Sequence, residues 1–307
     1  MNTKILDCTF RDGGYYNNWD FDLGLVREYL GVMERSGIEA VEIGFRSPGK
    51  DNFACVTDEF IETKLYRPDI KYFGVMVNAN DYSNVLFKQA DKSPFNFVRV
   101  ATHFKDIHLA ERVCKELKDL GYTVACNLMQ ASTKENDELE KASREVKSWG
   151  VDILYFADSF GGMDRLDIIN LYTVAHFKDL ATGFHGHNNQ GKALNNSIEA
   201  AIFGVEWVDG TMLGMGRGAG NTETELLLTE LGRDSEEVYE LSMDFLPLKE
   251  KYKWGASLPY YLAAKYSIHP TFIQKTDTKD ALKVINYLKD KKANSFNKTL
   301  LEEALTQ

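Results

Sequence analysis

Over the first two-thirds of the chain, short apolar runs alternate with longer stretches of helical periodicity. The runs at 5–8, 40–43, 72–77, 97–101, 123–127, 153–157, 181–185 and 207–212 are continuous rather than alternating in polarity. Strands buried on both faces look like this. Between them, at 23–36, 107–120, 135–149, 164–177 and 192–203, apolar residues recur at three- and four-residue spacing, as on one face of an α-helix. Gly37, Gly121, Gly150 and Gly204 each stand just before a strand, where a left-handed helix cap is expected. Eight such units in about 230 residues predict an α/β fold of the (β/α)8 TIM-barrel type. A doubly wound open sheet would need a glycine-rich turn that opens a helix after the first strand. Here Gly13-Gly14 runs into Tyr and Asn residues instead.

The pattern changes near Asp234. Helical periodicity returns at 279–289 and 299–305, and 254–270 is rich in tyrosine. The expected organisation is a barrel over 1–233 and a C-terminal helical extension over 234–307, packed on it without a flexible linker. Lys289-Asp290-Lys291-Lys292 reads as a solvated helix end.

Composition narrows the function. At 307 residues and 44% hydrophobic content, the chain can bury a large core. A net charge of −10 argues against a nucleic-acid or anionic-membrane surface. No apolar run approaches the roughly twenty residues that span a bilayer, and the start shows no signal-peptide pattern. Cys8, Cys55, Cys114 and Cys126 lack Cys-x-x-Cys spacing, which points to buried free thiols and a reducing cytoplasm.

Candidate chemistry gathers at the strand ends, where barrel active sites are built. In Gly183-Phe184-His185-Gly186-His187-Asn188-Asn189, two imidazoles two residues apart at a strand's end face the same side, an arrangement suited to a divalent metal. Asp12, just past the first strand in the expected exit loop, can add a carboxylate. Neighbouring Arg11 can stabilise an oxyanion; alternatively the two form an ion pair that closes the barrel end. Glu42, Asn78, Thr102, His103, Asn127, Asp158, Ser159 and Asp209 complete a polar ring. No strand-end lysine is present for a Schiff base, which favours metal activation. The loop Gly214-Met215-Gly216-Arg217-Gly218-Ala219-Gly220-Asn221 is either an anion-binding nest or a lid or tight connection. Asn221 serves either the metal or the cap of a following helix.

These motifs, with Asp7-Cys8-Thr9-Phe10-Arg11-Asp12-Gly13 and Val98-Arg99-Val100-Ala101-Thr102-His103, resemble the DRE-TIM metallolyases. Within that superfamily of HMG-CoA-lyase-like barrels, the chain is most similar to the 4-hydroxy-2-oxovalerate aldolases. The resemblance implies that Asp12, His185 and His187 hold a divalent cation. Mn or Mg is expected first, with Zn or Co as further candidates, and Asn221 is a fourth ligand candidate. It also implies that Arg11 stabilises the enolate of a small 2-oxo acid such as pyruvate. Those aldolases place a histidine four residues after the motif arginine as the base on the substrate hydroxyl. Tyr15 stands there, and an ordinary tyrosine, with a pKa near ~10, is a poor base at neutral pH. Tyr15 then acts as acid or orienting group, or His103 or Tyr16 takes over.

The segment after 233 is shorter than the one by which those aldolases dock an aldehyde dehydrogenase, which argues against such a partner. Barrels of this size commonly form homodimers. The HMG-CoA lyases carry a cysteine in the glycine-rich loop, and this chain does not. Two alternatives stay open. One is a Claisen-type acyltransferase using acetyl-CoA, like the homocitrate and isopropylmalate synthases, although those open with Arg-Asp-Gly-Glu-Gln. The other is a metal-binding barrel that has lost turnover.

Overall fold

The computed structural model describes residues 3–49, 51–175 and 177–307. Eight strands form the expected units: β1 (Lys4–Asp7), β2 (Ala40–Phe45), β3 (Tyr72–Asn78), β4 (Phe97–His103), β5 (Thr123–Met129), β6 (Ile153–Asp158), β7 (Ala181–Gly186) and β8 (Trp207–Gly210). All pair in parallel, in sequence order, and β1 pairs with β8 to close the barrel.

Helices α1 (Thr9–Gly13), α2 (Leu23–Ser36), α3 (Asp58–Lys64), α4 (Ile107–Asp119), α5 (Asn136–Ser148), α6 (Arg165–Ala175), α7 (Ala193–Ile202) and α8 (Thr224–Glu230) accompany the strands. Then come α9 (Glu236–Asp244), α10 (Leu246–Tyr252), α11 (Leu258–Lys265), α12 (Thr271–Gln274), α13 (Ala281–Leu288) and α14 (Lys298–Thr306). Helix α2 begins where Asp22 accepts from the Leu25 N–H, and ends at Gly37 with φ +71°. Gly121, Gly150 and Gly204 also have positive φ, as left-handed caps require. His176, inside the expected helix 164–177, lies outside the described residues.

Three local expectations change. The third unit has no α-helix: its connection contains only the short 3₁₀ turns Tyr82–Asn84 and Ala90–Lys92. That segment is rich in Asn, Asp and Ser, which bond to nearby backbone and compete with helix formation. The eighth strand ends at Gly210, short of the expected 212, and the chain turns at Met212–Gly214. The exit of β1 is not a loop but the single turn α1. Asp7 Oδ1 accepts from the Thr9 N–H (2.9 Å) and hydroxyl (2.6 Å), and the Asp12 N–H bonds to the Cys8 carbonyl, so the helix starts directly from the strand.

Inside the barrel, Leu6, Ala40, Phe97, Ala125, Ile153, Tyr155 and Trp207 form a dry cluster that fills the end where the strands begin. Each large apolar side chain buried this way contributes roughly 1.5–3 kcal/mol, and the plug leaves the other end for chemistry. Beyond α8, α9 packs on α2, and the Phe245 ring lies 6.0 Å from Phe10. A second small core follows, built from Tyr260, Ile268, Phe272, Val284, Ile285, Leu288 and Leu301. It includes Ala219 of the glycine-rich loop, so the C-terminal helices hold that loop directly. All four cysteines are buried and unpaired. Among the described residues, no helix is long and apolar enough to cross a membrane.

Candidate active site

His185 is the penultimate residue of β7 and His187 follows the strand. Their ring centroids lie 4.9 Å apart, and both residues are buried. Asp12, on α1, brings a carboxylate to the same point: one donor atom from each of Asp12, His185 and His187 lies within 4.8 Å of the others. His185 Nε2 and His187 Nδ1 are buried without a hydrogen-bond partner. Asn221 lies beside them, its Nδ2 donating to Asp12 Oδ2 at 2.5 Å while its Oδ1 is unpartnered. Helix α8 is capped at Glu223, so Asn221 faces the ligand set rather than a helix terminus. One carboxylate, two imidazoles and an amide oxygen, with unsatisfied lone pairs buried among them, form a donor set that fits a divalent cation.

The protonation states suit the same use. Burial alone would raise the Asp12 carboxyl, but Arg11, His185 and His187 hold it well below the ordinary carboxylate range. Burial and neighbouring His185 push His187 well below its usual value, so its ring is neutral. On the far side of His185, Nδ1 lies 2.7 Å from Asp209 Oδ2, which fixes the tautomer and leaves Nε2 to bind. Cys8 also lies near His185 and Asp209, but burial raises its thiol pKa well above normal, and the Sγ donates to the Gly210 carbonyl.

Arg11 is divided between two carboxylates, with one nitrogen left over. Its Nε donates to Glu42 (2.7 Å), its Nη1 to Asp12 (2.5 Å), and its Nη2 is buried with no partner. Beneath it, Glu42 also takes two bonds at 2.7 Å from Arg99, and Arg99 Nη1 reaches Asp209 at 2.5 Å. A continuous buried chain, Arg11–Glu42–Arg99–Asp209–His185, thus crosses the barrel under the ligand cluster. Sequence reasoning placed Glu42 and Asp209 in the polar ring but named Arg99 only within a motif and gave it no role. An arginine inside the apolar run 97–101 was the available signal.

At the mouth, Tyr15 keeps 38% of its surface exposed, with its ring against Trp19 and beneath the Arg217 guanidinium. Surrounding protein raises its pKa despite nearby Arg217, so its hydroxyl stays protonated at neutral pH. Tyr16 is committed elsewhere, its hydroxyl donating to the Gly218 carbonyl. His103 ends β4, half-buried, and lines a cavity of about 200 Å³ with Gln130, Lys134 and Asn294. It belongs to neither ligand cluster. Burial and Lys105 lower its pKa, leaving a neutral imidazole. Two further residues reach the mouth: Arg217 from the glycine-rich loop and His269 from the chain before α12. The loop itself is tied down: Gly220 accepts from the Asn188 N–H, and Asn221 and His187 form a β-bridge.

A closed eight-stranded barrel with its polar cluster at the strand ends defines an α/β-barrel enzyme. The chain belongs to the HMGL-like family, whose family model matches residues 2–246. The 4-hydroxy-2-oxovalerate aldolase of Carboxydothermus hydrogenoformans is 28% identical over 254 residues, covering 80% of this chain and 75% of that protein. The oxaloacetate decarboxylase of Mycobacterium tuberculosis is 29% identical over 236 residues, 75% of this chain and 70% of that one. The crystal structure of the N-terminal domain of a candidate aldolase from Bacteroides vulgatus superimposes with a TM-score of 0.75. It is 31% identical and covers 92% of this chain and 97% of that domain. By this kinship the chain is an enzyme of the carbon–carbon lyase class.

Proposed function

We propose that this chain is a divalent-metal-dependent aldolase that cleaves or forms the C3–C4 bond of a 4-hydroxy-2-oxo acid, with pyruvate as the 2-oxo product. The observation that carries the reading is the unpartnered Nη2 of Arg11, held by two carboxylates next to the convergent Asp12, His185 and His187. Mn or Mg, held by these three with Asn221, would supply Lewis-acid polarisation of the 2-oxo group. Zn or Co also matches the imidazoles.

The remaining roles belong to the chain itself. As C3–C4 breaks, its electron pair moves into the C2–C3 bond and the 2-oxo oxygen becomes an enolate. Arg11 Nη2 donates to that oxygen, and Glu42 keeps the guanidinium from turning away. The 4-hydroxyl loses its proton and C4 leaves as an aldehyde. His103, neutral at pH 7, accepts that proton, and the protonated Tyr15 hydroxyl orients the leaving oxygen. Decarboxylation of oxaloacetate is a second reading, favoured by the mycobacterial relative. It breaks the equivalent bond and leaves the same enolate.

The test is hydrogen–deuterium exchange at the pyruvate methyl group, followed by NMR with Mn or Mg added. Metal-dependent exchange, absent in Asp12→Ala, is expected. No exchange from the wild type, together with CoA release from acetyl-CoA and a 2-oxo acid, would move the assignment to a Claisen-type acyltransferase.

A further inference from the structure

Among the described residues, Arg217 is the one guanidinium at this mouth without a carboxylate. Arg11 is paired with Asp12 and Glu42, and Arg99 with Glu42 and Asp209. Among the described residues, no ion pair includes Arg217. Its Nη1 faces His269 Nε2 at 3.3 Å, its Nη2 faces His187 Nε2 at 3.4 Å, and its Nε is buried without a partner. A half-buried cation with an unsatisfied donor, held at the entrance to the ligand set, is a site prepared for an anion.

The charges that meet here say how many anions. Asp12, Glu42 and Asp209 outnumber Arg11 and Arg99 by one negative charge. A divalent cation would turn that into one positive charge, and Arg217 makes it two. The carboxylate of a 2-oxo acid cancels one. One positive charge remains, carried by Arg217 beside His187, His269 and the Tyr15 ring.

Resting on the 2-oxo-acid reading above, we infer that Arg217 forms a carboxylate-binding subsite, so that the preferred substrate carries a second carboxylate on the half that leaves as the aldehyde. A monoanion matches the single residual charge, and the planar fork of arginine matches a carboxylate's two oxygens. The C-terminal helices hold the subsite in place. The His269 ring props Arg217, and the His269 backbone N–H is fixed to the Ala293 carbonyl at 2.8 Å. Gln274 accepts from the Gly218 N–H and donates to the Tyr15 carbonyl, tying the glycine-rich loop to α1's exit. His269 is therefore a positioning residue.

The experiment compares binding of 2-oxoglutarate and 2-oxopentanoate, equal in length and without a hydroxyl to cleave, to the Mn-loaded protein by calorimetry. One charge-assisted pair predicts that 2-oxoglutarate binds about tenfold tighter or more. In Arg217→Gln the ratio falls to near one, and Arg217→Lys recovers part of it. His269→Ala lowers the ratio, while His269→Gln, which keeps an acceptor, restores it. Equal binding of the two acids by the wild type, or a ratio unchanged in Arg217→Gln, overturns the inference. The ratio is read without turnover, so it is separate from the pyruvate exchange test. Exchange with no preference sinks only the subsite, and preference with no exchange sinks only the aldolase reading.

Discussion

At the scale of single residues, the site depends on how each polar atom is already committed. Arg11 serves two carboxylates and still has Nη2 to spare, a division that only a guanidinium can make. Arg11→Lys is expected to retain Mn, measured by elemental analysis, while turnover falls roughly 10²–10³-fold, the usual cost of one oxyanion donor. His103 predicts the pH dependence. Its pKa is depressed, so the neutral form that accepts a proton is present above that value and is lost as pH falls through it. The kcat/KM profile should show an acid limb with its midpoint below 6.5, the ordinary histidine value. His103→Ala should abolish that limb; a limb that persists would pass the role to another group. His185, His187, Asp12 and Arg11 were legible in the sequence because neighbours two or fewer positions apart share a fixed local geometry. Arg217 and His269 were not paired in that reading. Fifty-two positions separate them, and nothing local announces that they meet.

At the scale of elements, α1 and the glycine-rich loop bring the distant parts together. One turn of helix straight after β1 aims Arg11 and Asp12 into the barrel mouth, where a loop was expected. Opposite it, Gly216 allows the loop to press against the ligands: a Cβ there would lie 2.4 Å from Asn221 Nδ2 and 2.8 Å from Asp12 Oδ2. Gly216→Ala should therefore leave the barrel folded by circular dichroism yet weaken Mn binding by tenfold or more, about 1.4 kcal/mol, measured by titration. Unchanged affinity would mean that Asn221 and Asp12 can retreat without cost. The missing helix of the third unit teaches a related lesson. A repeating barrel pattern predicts that a connection exists, but the Asn- and Ser-rich composition of 80–93 decides its form.

At the scale of the whole molecule, the buried ion chain ties α1 and four strands, β2, β4, β7 and β8, into one charged layer beneath the site. Glu42 is fully buried and holds both Arg11 and Arg99. Glu42→Gln leaves two guanidiniums short of a counter-charge and should cost about 3–5 kcal/mol in chemical denaturation. The exposed Arg35–Glu237 pair is the control, with Glu237→Gln costing less than ~1 kcal/mol. Comparable losses would deny the chain a structural role. The sequence by itself determined the barrel, because buried parallel strands and capped helices leave a periodic signal that local sterics and hydrophobic burial impose. It also determined the His-x-His and Arg-Asp chemistry, since each lies within one short segment. Only the tertiary structure decided that Arg99 and Glu42 would meet inside the barrel. It alone also decided that helices after residue 246 would return His269 and Gln274 to the mouth. Such pairings depend on chain closure over long separations, and burial specifies that a charge needs a partner without naming which one.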